Sequence, residues 1–258
     1  MKKILRKFEL YKIVRAYYSV FLGVFSKKMS SIKKISLILK YFNDLKKYKH
    51  LEKNTKFKIN WDNISPYIYD KMIYTPIDPV YFYQDSWCAK KIFKNKPEHH
   101  YDVGSKADML GIISQFTPAT MVDIRSINLE MPGFKFQKGD ILSLPFKDNS
   151  IDSLSSICVI EHIGLGRYGD KLNPLGSEKA IKELKRVLSP NGNLYISVPV
   201  DKENKIYFNA HRAFTRDYII ELFKPFKLIE EKYIYGRNLD DSYDAEKGFG
   251  TGLFHFKK

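Results

Sequence analysis

The chain has 258 residues, 44% of them hydrophobic, and a formal net charge of +15 at pH 7. This length suits one domain of ordinary size with an extension, and no run of about 18 uncharged apolar residues is present to cross a bilayer. The two cysteines, Cys88 and Cys158, are far apart and lack metal-ligand spacing. The composition therefore excludes a disulfide-rich secreted domain, and we expect a cytoplasmic protein.

The positive charge is concentrated in the first 60 residues. Residues 1–60 hold 17 Lys and Arg and 3 Asp and Glu, whereas residues 61–258 hold 27 and 26. Apolar residues recur in this segment at steps of three and four, which predicts two amphipathic helices with lysines on the opposite face. The two apolar sets are Ile4, Phe8, Tyr11, Val14, Tyr18, Phe21 and Phe25, and Ile35, Ile38, Phe42 and Leu45.

We interpret residues 1–60 as a basic amphipathic helical extension and weigh three roles for it. It would pack as a cap on the rest of the protein, or lie peripherally on the anionic inner face of a membrane with its aromatic side chains inserted. Nucleic acid is the third partner and rests on charge alone, because no RNA-recognition or helix-turn-helix signature accompanies the lysines.

Residues 61–98 form an aromatic-rich connector, which we expect to be ordered because it lacks Gly/Ser runs. Its second half predicts a helix over residues 85–93, with Asp85 as the N-cap. Such a segment, placed just before a first strand, would fold as a lid over a ligand cleft or cover one face of a sheet.

Residues 99–258 alternate predicted strands with predicted helices, which indicates a doubly wound, mostly parallel α/β sheet. Strands are expected at residues 119–124, 134–141, 151–160, 193–198, 226–235 and 252–256, and helices at 109–116, 177–188 and 215–223. The segment that starts this core runs from a short strand into a turn at Gly104 and then a helix. A glycine turn that opens a helix is typical of nucleotide-binding sheets.

Acidic residues stand at the ends of four successive predicted strands: Asp102, Asp123, Asp140 and Glu161, the last followed by His162. The carboxyl ends of parallel strands meet at one edge of the sheet, where ligands bind. A carboxylate after the second strand, about 20 residues past the first, can accept both hydroxyls of a ribose. The four acids therefore predict a nucleotide-type site.

This order of motifs resembles the class I S-adenosylmethionine-dependent methyltransferases over about residues 95–258. The matching segments are Asp102-Val103-Gly104-Ser105, Val122-Asp123-Ile124, Gly139-Asp140-Ile141 with Leu144-Pro145-Phe146, Val159-Ile160-Glu161-His162-Ile163, and residues 184–194. Other segments resemble a little-characterised bacterial subgroup encoded with surface-polysaccharide biosynthesis genes: Tyr81-Phe82-x-Gln84-Asp85, residues 164–170, Asn209-Ala210-His211-Arg212 and Gly248-Phe249-Gly250.

The resemblance implies a Rossmann-like methyltransferase fold with a seven-stranded sheet, and S-adenosylmethionine as the cofactor. It places Asp102 and Gly104 at the methionine end, Asp123 at the ribose, and Asp140 with Ile141 at the adenine. Ser105, Ile124 and Glu161 complete the predicted cofactor-binding set. The implied reaction is O-methylation of a sugar or of a nucleotide- or lipid-linked glycan precursor.

Methyl transfer to a hydroxyl needs alignment and a base. His162 is the first candidate because its ordinary pKa of about 6.5 suits a general base. His211 and Asp170 are the alternatives. The predicted substrate-binding residues are Arg167, Tyr168, Asn209 and Arg212, the arginines because their forked geometry matches phosphate oxygens. We predict no metal, and place His99 and His100 on the strand surface.

Two other functions remain open. A nicotinamide-dependent sugar-modifying enzyme would use Tyr243 and Lys247, which have Y-x-x-x-K spacing, although the G-x-x-G spacing of such enzymes is missing. A non-catalytic protein of the same fold, anchored to a membrane or a complex by its basic extension, is the second. It is favoured by the replacement of the usual glycines with Ser105, Lys106 and Asp108.

Overall fold

The computed structural model describes residues 30–51, 56–57, 59–60 and 64–258. The chain divides into two compact units, one up to Pro76 and the other from Ile77 to Lys258. The boundary falls inside the connector predicted from the sequence. Its helical second half belongs to the same unit as the sheet.

The first unit contains helix α1, Ser31–Leu51. The second predicted apolar set lies on this helix, and several of its large hydrophobic side chains are exposed, including Ile35 at 57% and Leu39 at 65%. The first apolar set, residues 4–25, lies outside the described residues, so the basic extension as a whole stays a prediction.

The second unit is built on one eight-stranded sheet in the order β3-β2-β1-β4-β5-β10-β8-β9. The first five strands along the chain are parallel: β1 His100–Val103, β2 Ala119–Asp123, β3 Phe134–Lys138, β4 Ile151–Ile157 and β5 Leu188–Val200. The remaining three are β8 Lys227–Tyr235, β9 Asn238–Asp240 and β10 Gly250–Lys257.

The number of strands corrects the sequence prediction of seven. The short edge strand β9 pairs antiparallel with β8, and β10 pairs antiparallel with both β5 and β8. A mixed sheet forms here because β10 inserts between β5 and β8 as the last strand of the chain. The predicted α/β class is confirmed, with an antiparallel region at one side.

Strand β5 is longer than predicted. The sequence predicts its start at Asn193, but the strand already begins at Leu188. The pairing of β4 with β5 shifts register between Ile151 and Ser153, and this irregularity accommodates the extra residues opposite them.

Helix α2, Pro79–Asn95, begins six residues before the expected start. Its N-cap is Asp78, whose carboxylate accepts hydrogen bonds from the backbone N–H groups of Val80 and Tyr81, so the assignment of Asp85 as N-cap is wrong. Proline at the first helical position favours this earlier start. Asp85 instead lies in the middle of the helix.

Side chains of α2 fix it to the sheet. The Trp87 indole donates to Glu230 Oε1 at 2.9 Å. The buried Gln84 Oε1 accepts from Ser197 Oγ at 2.9 Å and from Cys158 Sγ at 3.1 Å. These partners lie on or beside three different strands. The hydrogen bonds therefore fix the helix against the sheet.

Three further helices pack on the sheet: α3 Ala107–Ile113, α4 Gly176–Val187 and α5 Arg216–Phe223. The apolar side chains form two clusters. One contains α2 and α3 residues, and the other contains α4 and α5 residues, as expected for a sheet covered on both faces. A hairpin of β6 Lys205–Tyr207 and β7 His211–Ala213 stands apart from the main sheet.

Candidate functional site

The order of the strands reverses between β1 and β4. Strands β2 and β3 follow β1 on one side, and β4 then pairs with β1 on its other side. In open α/β sheets the crevice at such a switch point, outside the carboxyl ends of the strands, is where ligands bind. The predicted acids all belong to this edge.

The turn after β1 is built around Gly104, whose φ is +75°. A Cβ at this position would lie 2.9 Å from Val159 Cγ1, so glycine is required both by the backbone conformation and by space. The next residue, Ser105, donates from its backbone N–H and its hydroxyl to the two oxygens of Asp102, at 3.0 Å and 2.6 Å. The acid at the end of β1 therefore holds the glycine turn in shape.

Asp102 is fully buried within a chain of polar side chains. Its second oxygen also accepts from Ser155 Oγ, which in turn lies 2.9 Å from His100 Nε2. Burial raises the pKa of the Asp102 carboxyl to about 6, against the lowering effect of the serine hydrogen bonds. The expectation that His100 lies on the strand surface is wrong, because its ring is 0% exposed.

Glu161 is the most unusual acid of the site. It lies in a short 3₁₀ turn, Ile160–His162, just after β4, and is 1% exposed. Its Oε2 has no hydrogen-bond partner among the described residues. Burial raises the pKa of this carboxyl to about 8. A buried carboxyl with an unsatisfied oxygen is costly to the fold and indicates a place for a ligand.

Asp85, on helix α2, is a second acid of this kind, whereas the sequence predicted it only as the N-cap of a helix. Its Oδ1 is buried and likewise has no hydrogen-bond partner in the part of the chain that the structure describes. Burial raises the pKa of Asp85 to about 6. The charge of Asp85 also raises the pKa of Asp102, and the charges of Asp85 and Glu161 both raise the pKa of Cys158. We call Asp85, Asp102 and Glu161 the acidic cleft.

Asp123 ends β2 and is 7% exposed. Its carboxylate is paired with Arg125, a residue that was not among those predicted for the site. Arg125 Nε and Nη2 donate to the two carboxylate oxygens at 3.1 and 3.0 Å, and the Arg125 backbone N–H donates to Oδ1 at 2.8 Å. The sequence indicates this pair through an arginine that lies two residues after the acid predicted to bind the ribose. Ile124, between them, is 44% exposed.

Asp140 and Ile141 follow β3 at the same edge. Asp140 is exposed, and its Oδ1 accepts from the backbone N–H of Leu142 at 2.9 Å. Ile141 is 6% exposed and belongs to a core cluster. Asp140 is thus available to solvent, whereas Ile141 packs in the core, and their contact with an adenine stays a prediction.

Tyr168 connects the two sides of the site. The guanidinium carbon of Arg125 lies 4.9 Å from the centre of the Tyr168 ring, and that of Arg167 lies 5.2 Å from it. On the other side of the Gly104 turn, Lys106 Nζ lies 5.4 Å from the centre of the Tyr81 ring of α2. Aromatic rings thus flank the glycine turn.

His162 and Glu161 are neighbours whose proton affinities are reversed from the usual order. His162 Nδ1 lies 2.6 Å from the carbonyl oxygen of Ala210, so that nitrogen carries the hydrogen and Nε2 holds the lone pair. Burial lowers the pKa of His162 to about 4. Its Nε2 lies 3.7 Å from Glu161 Oε1. Burial therefore favours the uncharged form of both groups in the absence of a ligand.

His211 lies close to His162, with 6.5 Å between the ring centres. Tyr207 and Phe249 pack on the His211 ring at 4.9 and 5.6 Å. Its Nε2 is buried and has no hydrogen-bond partner within the described ranges. Burial also lowers the pKa of His211. The structure therefore brings both predicted base candidates together.

Two predicted site residues instead have structural contacts. Asp170 accepts from the backbone N–H groups of Gly164 and Tyr168, at 2.6 and 3.3 Å. Arg212 is 6% exposed and donates to the carbonyl oxygens of Ile163, Asn173 and Pro174 and to Ser177 Oγ. These contacts correct the predicted catalytic and substrate-binding roles, because both side chains already hold the loop between β4 and α4 in place.

The other two predicted substrate-binding residues differ in exposure. Arg167 is exposed, and its Nη1 donates to the Ala210 carbonyl at 3.0 Å, the same oxygen that His162 contacts. Asn209 takes a positive φ of 62° in the β6–β7 hairpin, and its amide lies 3.5 Å from the Leu165 carbonyl. Arg167 remains the candidate for contact with a ligand outside the cleft.

The Tyr243 and Lys247 pair does not form a catalytic unit. The Tyr243 hydroxyl donates to the Asp201 carbonyl at 3.0 Å, and Lys247 pairs with Asp240. Across the described residues, no group of three metal-ligating side chains lies together, and none of the helices there is both long and apolar enough to cross a membrane.

Comparison with known sequences gives two matches. A family profile described as "Caenorhabditis protein of unknown function, DUF268" matches residues 140–244. This segment includes β4, the Glu161 turn and the β6–β7 hairpin. An uncharacterized protein of Methanocaldococcus jannaschii is 29% identical over 176 residues, which cover 65% of this chain and 72% of that protein.

Solved structures show what the fold is. A 1,6-didemethyltoxoflavin-N1-methyltransferase of Burkholderia thailandensis, solved with S-adenosylhomocysteine, matches with a TM-score of 0.51 at 15% identity, covering 68% of this chain and 78% of that one. A Galdieria sulphuraria protein described as a sarcosine dimethylglycine methyltransferase gives 0.51 at 13% identity over 71% and 91% of the chains. The chain has the methyltransferase fold.

The fold alone does not name a reaction. The 4+2 cyclase SpnF matches with a TM-score of 0.50 at 13% identity, covering 67% of this chain and 80% of that chain. Since a cyclase and two methyltransferases share this fold, the chemistry has to be argued from the residues of the site.

Proposed function

We propose that this protein is a methyltransferase that binds S-adenosylmethionine at the carboxyl edge of its sheet. The observation that carries the proposal is the acidic cleft. Asp85 and Glu161 each keep a buried oxygen without a hydrogen-bond partner among the described residues. Such oxygens suit a cationic ligand, and the methionine end of this cofactor carries a sulfonium and an ammonium. Buried carboxyls without a partner would otherwise only destabilise the fold.

The residues present fit the rest of the cofactor. Gly104 leaves room above Val159 where any side chain would collide. Asp123 would accept the ribose hydroxyls, and the exposed carboxylate of Asp140 would accept from an adenine amino group. When bound, the cofactor supplies an electrophilic methyl group on sulfur.

For the acceptor we propose a hydroxyl of a sugar or of a glycan precursor in surface-polysaccharide biosynthesis. His162 would take the hydroxyl proton at Nε2, because its Nδ1 is held by the Ala210 carbonyl. His211 is the alternative base. Tyr207 and Phe249 beside it are 42% and 48% exposed, and their ring faces could pack on the apolar face of a sugar. Arg167 would bind a phosphate of the precursor.

Calorimetric titration of the full-length protein with S-adenosylmethionine, S-adenosylhomocysteine and NADH tests the proposal. We expect both sulfur compounds to bind in the micromolar range and NADH not to bind. Asp123→Ala should weaken binding by about 100-fold, whereas the matched exposed change Asp217→Ala should leave it unchanged.

The alternatives make different predictions in the same titration. Binding of NADH alone would support a nicotinamide-dependent enzyme. If none of the three compounds binds, the non-catalytic interpretation stands and the methyltransferase proposal fails. Methylation of nucleotide sugars by the wild type, and its loss in His162→Gln or His211→Gln, would then identify the acceptor and the base.

A second proposal concerns helix α1, which we suggest lies on an anionic membrane surface. Its exposed apolar side chains recur as Ile32, Ile35, Leu39 and Phe42, at steps that place them along one stripe. Lys33, Lys40 and Lys47 follow at seven-residue steps and so form a row of their own on the helix. An apolar stripe beside lysines is the pattern of interfacial helices.

Sedimentation with phosphatidylglycerol vesicles tests this contact. The full chain should bind these vesicles and release them in about 0.5 M salt, because screening weakens the lysine contribution. Ile35→Glu with Leu39→Glu should abolish binding, and Ile73→Glu, an exposed residue outside the helix, should not. Equal binding to neutral phosphatidylcholine vesicles, or binding by the double variant, would contradict the proposal.

A further inference from the structure

We infer that Asp123, Arg125 and Tyr168 form a latch across the cofactor cleft, which has to open before the nucleotide end of the cofactor can bind. This inference rests on the proposed function. It makes Arg125 a residue that lowers the affinity of the ligand-free protein for its cofactor.

The first observation is that Arg125 already fills the acceptor positions of the ribose acid. Two side-chain nitrogens of Arg125 and its own backbone N–H all donate to the Asp123 carboxylate. A ribose that offers two hydroxyl donors needs the same two oxygens. Because Asp123 is 7% exposed, few other directions are open to a second set of donors. Ribose and the Arg125 side chain therefore compete.

The second observation is where the other face of Arg125 lies. Its guanidinium carbon is 4.9 Å from the centre of the Tyr168 ring, within the range of a cation–π contact. Tyr168 belongs to the loop that follows β4, whereas Arg125 follows β2. Strand order places β1 between β2 and β4. The contact therefore spans the carboxyl end of β1, where the Gly104 turn lies.

The third observation is that the Tyr168 side of the latch is held firmly. Asp170 binds the backbone of the same loop, and the Tyr168 ring packs edge-on against His162 with 5.7 Å between centres. Arg125, by contrast, has a side chain that is 60% exposed. The part that moves is therefore the arginine, while the tyrosine provides a fixed surface.

These contacts imply a two-state equilibrium in the free protein. In the closed state Arg125 bridges Asp123 and Tyr168, and in the open state Asp123 is free for ribose. A ligand that binds only the open state shows an affinity reduced by the open fraction. Removing the arginine should therefore strengthen binding, although it removes two side-chain hydrogen bonds from the folded protein.

The test measures S-adenosylhomocysteine binding by calorimetry and thermal unfolding without ligand, both on the full-length protein. We expect Arg125→Ala to bind roughly 3- to 30-fold more tightly than wild type, with a lower melting temperature in the absence of ligand. Tyr168→Leu should change both quantities in the same directions by a smaller factor. Arg237→Ala, which removes an exposed arginine from the turn between β8 and β9, controls for the loss of one positive charge.

The opposite signs of the two readouts distinguish the latch from a merely structural role. If Arg125→Ala binds the compound with equal or lower affinity than wild type, Arg125 supports the ligand and the latch is overturned while the proposed function stands. If neither wild type nor Arg125→Ala binds it, the proposed function itself fails, and the latch with it. Binding by Arg125→Ala alone would support both.

Discussion

The two sides of the Gly104 turn carry acids at comparable strand ends, but in different surroundings. On the β4 side, Glu161 is 1% exposed and keeps an oxygen unpartnered among the described residues. On the β2 side, Asp123 receives three hydrogen bonds from Arg125, and Asp140 stands in solvent. The position of an acid at a strand end therefore does not decide its role; the groups around it do.

This difference suggests a division of labour. The β4 side, with its unsatisfied carboxyls, is suited to bind a positively charged group, because burial makes each carboxyl costly to ionise without a cationic partner. The side with the arginine is suited to exchange one set of hydrogen-bond donors for another at little electrostatic cost.

The largest expected effect on cofactor binding separates Asp123, at the end of β2, from Asp140, which follows β3. Asp123→Ala should weaken S-adenosylhomocysteine binding by about 100-fold, near 2.7 kcal/mol, because two hydrogen bonds to a charged group are lost. Asp140→Ala should cost less than about 10-fold, since that carboxylate is exposed and remains screened by water. Calorimetry of both variants measures the contrast, and equal losses would show that burial does not rank these two acids.

The next effect concerns stability. Glu161 has a pKa raised to about 8 by burial, so its contribution is complete below the ordinary carboxyl range and is lost as pH rises toward 8. Glu161→Gln should therefore be more stable than wild type at pH 8 by roughly 2–4 kcal/mol, and differ little from it at pH 4.5.

Urea unfolding at the two pH values measures this difference. Glu246→Gln, an exposed change of the same type, serves as the control and should follow wild type. If the stability of Glu161→Gln falls between pH 4.5 and 8 as steeply as that of wild type, the group responsible for the pH dependence is not Glu161.

The smallest expected effect concerns discrimination between the two sulfur compounds. Asp85→Asn should weaken S-adenosylmethionine binding about 3- to 10-fold more than S-adenosylhomocysteine binding, because only the first carries a sulfonium charge. Paired titrations measure the ratio. A loss that is the same for both compounds would mean that Asp85 contacts a part that they share, and would remove it from the acidic cleft.

Local signals in the sequence were sufficient for the framework of the site. Periodicity and the glycine turn located β1, the helix α3 after it and β2, and the acids after the strands pointed to one edge. These features depend on neighbours a few residues apart, which a sequence displays directly. Boundaries were less accurate. The start of α2 is set by Asp78 as the N-cap and by Pro79 at the first helical position, whereas the sequence prediction relied on Asp85.

Residues whose roles depend on distant partners were not predictable. Arg212 reads as a phosphate-binding arginine in isolation, but its partners are the carbonyl oxygens of residues 163, 173 and 174, about 40 positions away. The burial of His100 depends on the serines of β4, which lie opposite only after the sheet has formed. Arg125 was visible in the sequence, but its contact with Tyr168 arises from the strand order.

The hydrogen bonds that join α2 to the sheet through Gln84 have a consequence for thiol chemistry. Cys158 donates to Gln84 and accepts from Ser197, Cys88 is fully buried in the same helix, and burial raises the pKa of both thiols. Neither sulfur is a reactive thiolate while α2 lies in place. The rate at which an alkylating reagent modifies Cys88 in the native protein would thus report how often this helix moves away from the sheet, and a ligand that stabilises the helix in place would slow that rate.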